Sequence, residues 1–530
     1  MKRLKVGVVE LLAHSVTTPF LRRRVIAPET ASVMPQAVAV WAEELGCEVH
    51  YAVWTAEEDL RRLLPDGLDL VFISAFTRAS FVAYALSRHL RSGGAVTVLG
   101  GPHAQSFAEH ARDYFDYICQ TTDRALIADL LQAPERQERG LVLCADEGPS
   151  SLPGVAQRAR FIDHCLQKGT RVLRLVPMLG SLGCPYTCSF CVDAPVRWRG
   201  LPVDPIIEDL RHIERRWGED TLVGWHDPNF GVRFDEYLGA IEDSGTHLVH
   251  CAHMSLSLMS AQNARRLGRA RFGLLAPGVE SWFDFSDKSG RARVVGEAKV
   301  LHVAETLNVI QAEVQHIQTN MIVGLDTDQG ELPWELTQRL AELSPGIYPT
   351  YFLATNFYNA PLSRELHASG RTMAMPFSLL DTNCFGNVRP LHYSPVELYD
   401  RLIELYAFAY SWKAVLRRTR VTPGGWGKLV NFGRSVDEGR GFIAFHRSLR
   451  ARLESDRELR AFYEGERVAP PTSFMDEVKA QLGPYQELLP AELLSPERYA
   501  ESFRAAAEAA VRTIRAPAAG SVPKERAAAS

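Results

Sequence analysis

Two long stretches of this chain alternate short apolar runs with segments of helical spacing, and that alternation restricts the fold more than any other feature. Parallel strands cannot be joined by a tight hairpin, so each must return across its sheet through a helix. In the first stretch "LKVGVVEL", "CEVHYAVW", "LDLVFISAF", "AVTVLGG" and "FDYICQ" have the pattern of buried strands. Between them "MPQAVAVWAEELG", "ASFVAYALSRHLRSGG" and "AQSFAEHARD" have helical spacing, and the first ends at a glycine. Residues 1–135 are therefore expected to form an α/β unit, a doubly wound, Rossmann-like parallel sheet.

The polar, Pro- and Gly-containing composition around "APERQERG" and "EGPSSLPG" predicts a connection over residues 136–170. Over residues 171–375 the alternation resumes with "RVLRLVPML", "TLVGWHD", "HLVHCAHM", "RFGLLAPGVE", "HIQTNMIVGL" and "YPTYFLATNF" as strands. Helical stretches such as "PIIEDLRHIERRWG" and "EAKVLHVAETLN" lie between them, and six such units suit a partial (β/α)6 barrel. Sites in these barrels sit on the loops that follow the strands. Residues 376–515 read as a mainly helical, amphipathic region, and 516–530 as a disordered tail.

At 530 residues the chain is too long for one core. Lys plus Arg number 59 against 63 Asp plus Glu, so no basic field exists to hold a polyanion, and nucleic acid is not expected as a partner. The longest apolar stretch, "LDLVFISAFTRASFVAYALS", is interrupted by Arg78 and several hydroxyls. It falls short of a membrane span, and "MKRLKVGVVELLAH" lacks the apolar region of an export signal. The expectation is a cytoplasmic protein with no membrane partner. Nine cysteines without an export signal argue against a disulfide framework and leave thiols free to bind metal.

Three of those cysteines, Cys184, Cys188 and Cys191, fall within "GCPYTCSFCV", residues 183–192. Structural zinc takes four protein ligands, whereas an iron–sulfur cluster held by three thiolates leaves one iron for an outside ligand. Three sulfurs with no near fourth suit the second case. Three core thiols, or a zinc site completed by a distant Cys or His, is the alternative.

"CPYTCSFC" resembles the Cys-x3-Cys-x2-Cys signature of the radical S-adenosylmethionine (SAM) superfamily, including the aromatic before the last cysteine. The resemblance implies that Cys184, Cys188 and Cys191 hold a 4Fe-4S cluster, with SAM on the open iron and Phe190 near its adenine. It implies reductive cleavage of SAM to a 5'-deoxyadenosyl radical, fed by an external one-electron reductant such as flavodoxin or ferredoxin. On later strands "GWHDPNF" supplies Asp227 and Asn229 where related enzymes have polar residues near SAM. "APGVES" resembles the family's strand-end Gly-x-Glu-Ser and offers Glu280 to the ribose or amino group. "QTNMIVGL" resembles its adenine-contacting strand, with Asn320 and Gly324. Where the family often has a glutamate after that glycine, "GLDTDQG" has Asp326 and Asp328.

A doubly wound domain ahead of such a barrel, with "DLVFISAFT" and "VTVLGGPHAQS" at two strand ends, resembles the cobalamin-binding domain of cobalamin-dependent radical SAM enzymes. The resemblance puts Ser74, Thr77, Gly100, Gly101 and His103 beside the corrin and Arg78 below the cobalt. Two departures stand out. The chain has no Asp-x-His-x-x-Gly motif, and "QTTDRAL", residues 120–126, replaces the family's Gly-Glu-x-Glu. The implied activity is methyl transfer to an unactivated carbon of a small molecule or secondary metabolite, with SAM as both radical source and methyl donor. A radical oxidation, cyclisation or rearrangement without methyl transfer, and a non-catalytic iron–sulfur protein, remain the alternatives. No residue is singled out as catalytic; Tyr351, Asn356 and Arg389 are candidates to face a substrate cavity, while Cys251 and Cys384 read as small buried hydrophobes.

Overall fold

The structure is a computed structural model that describes residues 3–12, 32–168, 173–283 and 294–513; the predicted tail at 516–530 lies outside them. The front sheet contains β1 (Lys5–Leu11), β2 (Glu48–Trp54), β3 (Leu70–Ala75), β4 (Val96–Gly100), β5 (Tyr117–Thr121) and β6 (Leu141–Cys144). All are parallel, in the order β2-β1-β3-β4-β5-β6. Alternate residues of each strand enter opposite layers: Val6, Val8, Leu70, Phe72, Val96 and Val98 pack on one face, Val9, Leu11, Val71, Ile73 and Leu99 on the other. Burial on both faces is why these strands read as unbroken apolar runs. Sheet growth reverses between β1 and β3, and such a switch point opens a crevice beyond the strands' C-terminal ends.

The stretch 136–170, expected as a connection, holds β6 and the helix Val155–Lys168. Phe161 of that helix joins the front core, while Val155, Ala159 and Ile162 join the core that continues into the second sheet.

The second sheet also has six strands, all parallel. After β7 (Leu175–Met178), two short strands, β8 (Ser181–Leu182) and β9 (Arg199–Gly200), form an antiparallel ribbon. The sheet continues with β10 (Leu222–Trp225), β11 (Val249–Ser255), β12 (Phe272–Glu280), β13 (His316–Val323) and β14 (Tyr348–Leu353). Order follows sequence without reversal, so the helices all cross on one side and the sheet curves into an open (β/α)6 barrel.

The C-terminal region is helical. Its first helix, Pro395–Ala409, starts with a reciprocal cap between Ser394 and Glu397. The helical run through "YAFAYSWKAVLRR" breaks at Tyr410, because Ser411 caps a new helix, Trp412–Val421, by accepting the Ala414 N–H. These helices cover β14: the hydroxyls of Tyr406 and Tyr410 donate to the carbonyls of Tyr351 and Pro349 at 3.3 and 2.6 Å.

Candidate active site

The cysteine loop is closed at its base by the ribbon β8/β9, and Asp227, from the turn after β10, braces that base. Its Oδ2 accepts the Gly180 N–H at 3.0 Å, and its Oδ1 accepts the hydroxyls of Ser181 at 2.6 Å and Tyr237 at 3.2 Å. Burial pushes the Asp227 carboxyl pKa up, and these hydrogen bonds oppose the shift by favouring the carboxylate. Gly183 has φ +64°, and a Cβ there would lie 2.5 Å from the Val196 carbonyl oxygen, so the two arms of the loop can meet only at glycine. From the outer side, Leu362 N–H donates to the Ser189 carbonyl (2.8 Å) and Asn359 Nδ2 to that of Val192 (3.1 Å). Cys184 and Cys188 are buried, Cys191 is half-buried, and the Cys191 N–H donates to the Cys188 carbonyl at 3.1 Å.

Among the described residues, no group of three or more His, Cys, Asp or Glu is drawn together around the position of one metal ion. The corners of a cubane spread its thiolates more widely than a single ion does, and a loop bearing three thiols fits such a cluster. Asp227→Ala should strip the acceptor from three buried donors, an expected loss of about 3 kcal/mol or more. Iron retained after reconstitution should fall in this variant and not in Asp326→Ala, whose partner is the peripheral Arg371.

Around the barrel mouth, Asn229 accepts the Ser255 N–H at 3.1 Å, while its Nδ2 is buried with no hydrogen-bond partner. A buried donor without an acceptor at a strand end fits an anionic ligand group. Glu280 ends β12 with φ +65°, a conformation few non-glycine residues adopt and one that clusters at functional sites. Its carboxyl lies back over Gly278, where a Cβ would collide with it; this is the physical reason for glycine two residues before the acid. Asn320 shares a face of β13 with Gln318, whose Nε2 donates to Asn320 Oδ1 at 3.2 Å. Gln318 in turn accepts from Arg434 at 3.0 Å, and Arg434 pairs with Glu438 at 3.1 Å, so a half-buried chain ties Asn320 to the C-terminal helices. Gly324, at φ +78°, and Leu325 donate their N–H groups to Asp328 Oδ2 at 3.0 and 3.1 Å. Burial raises the Asp328 pKa to about 7, and Asp326 forms a two-pronged pair with Arg371. Both acids are thus engaged in the turn and its flank. Phe190 is half-buried on the cysteine loop.

Two histidines escaped the sequence reading. Alternation along β11 buries His250, Ala252 and Met254 on the outer face and leaves Cys251 and the exposed His253 on the inner one, a signal present in "HLVHCAHM". His226, at the end of β10, has its pKa pushed down to about 4 by burial and then by His253.

In the front domain Ser74, Gly100 and Gly101 lie together at the ends of β3 and β4. Gly101 has φ +86°, and a Cβ there would be 3.0 Å from both the Ala75 carbonyl and Ser74 Oγ; a Cβ on Gly100 would meet open space. Thr77 is buried in the turn Thr77–Ala79, and the Arg78 guanidinium lies 5.7 Å from the Phe76 ring centre. His103, expected beside a corrin, is instead wholly buried: Tyr84 OH lies 2.7 Å from its Nε2, and its ring packs on Phe107 and Phe377. The short helix Pro102–Ser106 turns it inward, away from the strand-end crevice. In "QTTDRAL", Asp123 caps the helix Arg124–Gln132 by accepting the Leu126 N–H. Tyr351, Asn356 and Arg389 are likewise structural. Tyr351 packs against Tyr406, Asn356 bonds Asn387, Thr372 and Ser363, and Arg389 donates to the Gly370 carbonyl.

The front domain and the cysteine loop meet on one segment that follows β14. Phe107, just beyond β4, lies 6.3 and 6.0 Å from the rings of Phe357 and Tyr358, and Asn359 and Leu362 hold the cysteine loop.

This architecture, a doubly wound front sheet, an open six-stranded barrel with three cysteines after its first strand and a helical C-terminal region, is similar in fold to solved cobalamin-dependent radical SAM enzymes. No protein-family model matches the chain. A curated relative, bacteriochlorophyllide d C-12(1)-methyltransferase of Chlorobaculum tepidum, is 21% identical over 378 residues, 69% of this chain and 80% of its own. Among solved structures, the radical S-adenosylmethionine methyltransferase TsrM of Kitasatospora setae, with tryptophan and a SAM analogue bound, matches at TM-score 0.56 and 13% identity, covering 85% of this chain and 99% of its own. The cobalamin-dependent S-adenosylmethionine radical enzyme OxsB with aqua-cobalamin matches at 0.55 and 12%, covering 96% and 84%. At these identities the structural likeness establishes the fold.

Proposed function

We propose that the chain is a cobalamin-dependent radical SAM methyltransferase that acts on an unactivated carbon of a small molecule. The observation that carries this reading is the shared segment 357–362, which packs on the front domain through Phe357 and Tyr358 and holds the cysteine loop through Asn359 and Leu362. A segment that joins the front domain to the cysteine loop supports one compartment shared by the two domains. A 4Fe-4S cluster, SAM and cobalamin would together supply a 5'-deoxyadenosyl radical and a methyl group there. In this reading the thiolates of Cys184, Cys188 and Cys191 hold the cluster, and Asn229 Nδ2 and Glu280 orient the amino-acid and ribose portions of SAM. Phe190, Asn320 and Gly324 border its adenine, while Ser74, Thr77, Gly100 and Gly101 form the bed for the corrin. Asp227 acts through the loop it braces.

The named activity of the curated relative, methylation of a bacteriochlorophyllide, and the tryptophan bound to TsrM both support a small-molecule substrate. An external one-electron reductant such as flavodoxin or ferredoxin, and a cytoplasmic setting, complete the proposal.

The test is the metal content of protein purified without oxygen, reconstituted with iron, sulfide and hydroxocobalamin, and gel-filtered. About four irons and about one cobalt per chain are expected. Iron without cobalt would overturn the cobalamin reading and favour radical chemistry without methyl transfer.

A further inference from the structure

Residues 405–436 contain six Lys or Arg and neither Asp nor Glu. They form the helix Trp412–Val421 and the helix Gly425–Arg434, packed against each other as a hairpin. Their inner side is well accounted for. Arg418 donates to the carbonyls of Ile347 (2.6 Å) and Ala409 (2.8 Å) and to Ser435, and Asn431 Nδ2 donates to Thr422 Oγ1 at 2.8 Å. A Cβ on Gly427 would lie 3.1 Å from Gln315 Oε1, so the second helix presses on the chain just before β13. The hairpin therefore sits at the N-terminal end of the barrel, opposite the loops of the candidate site.

The outer side is apolar and cationic. Trp412, Leu416, Trp426 and Leu429 are each at least 52% exposed, and Phe432 is partly so. Lys413, Arg417, Arg420 and Lys428 stand exposed among them, and the Arg440 guanidinium lies 4.8 Å from the Trp412 ring centre. Exposed apolar side chains on a hairpin that carries cations and no acid of its own call for a partner that offers an apolar layer behind negative groups. A second copy of this face would set the same cations against each other.

We propose that the hairpin Trp412–Arg434 docks on an anionic lipid bilayer, with its tryptophans and leucines at the headgroup boundary and its basic side chains on lipid phosphates. Among the described residues no helix is long and apolar enough to cross a membrane, so the hairpin lies on the surface and does not span. Site loops at the other end of the barrel stay open to substrate and reductant.

The experiment is co-sedimentation of the full chain with phosphatidylglycerol-containing vesicles and with pure phosphatidylcholine vesicles. Binding to the anionic vesicles is expected, weakening as salt is raised. Lys413→Gln/Arg417→Gln/Lys428→Gln should lower it on the order of 100-fold, since each basic residue near such a surface contributes about fivefold. Trp426→Ser/Leu429→Ser should also weaken it; these side chains are exposed, so circular dichroism should match that of the parent chain. Failure to bind anionic vesicles, equal binding to both vesicle types, or a dimer in solution that Trp426→Ser/Leu429→Ser dissolves would each overturn the proposal.

Discussion

Changing Cys184, Cys188 and Cys191 together to alanine is expected to abolish the brown iron–sulfur absorbance and all formation of 5'-deoxyadenosine, while the chain stays folded. The fold should survive because the loop is not held by its sulfurs. Asp227 fixes Gly180 and Ser181, Gly183 lets the two arms touch, and Leu362 and Asn359 fasten Ser189 and Val192. Removing three sulfur atoms leaves all of those contacts in place and takes away only the thiolates that would bind iron. Loss of activity should be complete, since no other group of the loop offers a soft donor to replace a thiolate. Cys47→Ala, in the front-domain core, should retain both signals. A triple variant that kept the absorbance or the deoxyadenosine would sink the assignment of this loop.

The alternation that led the sequence reading was legible because both faces of each sheet are covered, which makes every strand a dense apolar run bounded by helical spacing. β6 escaped it for the opposite reason. "LVLC" is an edge strand of one exposed and three half-covered residues between polar flanks, and it acquires its meaning only by pairing with β5. The break at Tyr410 was invisible because Ser411 can continue a helix or cap one, and the packing of Tyr410 on Pro349 decides between them.

At the site, spacing alone identified the cysteine loop, since eight positions suffice to define the donor set. Side-chain direction was not legible. His103 stands two residues after a strand-end glycine, a place that reads as a ligand position, but one turn of helix rotates it onto Tyr84 and Phe377. Asp227 follows its strand end as expected, yet its oxygens point back into the loop base and not outward. Tyr351 shows the same limit: on a strand buried on both faces, periodicity cannot say which neighbour a ring will meet, and here it is Tyr406.

The second large effect is expected in the front domain, where Gly101→Val should remove bound cobalt while iron at the cysteine loop is retained. Gly101 sits at φ +86°, where a β-branched residue costs on the order of 1–3 kcal/mol in backbone strain alone. Its Cβ would also press on the carbonyl and the N–H nitrogen of Ala75 at 3.0 and 3.1 Å, backbone atoms that cannot swing aside. Relief requires the ends of β3 and β4 to move apart, and with them Ser74 and Gly100. Cobalt per chain should fall about tenfold or more, the loss that strain of this size implies. The cysteine loop is tied to the front domain elsewhere, through Arg199, which donates to the Gly148 carbonyl just after β6, and through the segment 357–362 on Phe107. Gly100→Leu separates binding from folding, because a Cβ at Gly100 meets no protein atom within 4 Å. That variant should keep the thermal stability of the parent chain and still lose cobalt, since the leucine occupies only the space assigned to the corrin. Unchanged cobalt in Gly100→Leu, in protein that still makes deoxyadenosine, would move the cobalamin away from these strand ends and leave the barrel's radical chemistry standing without it.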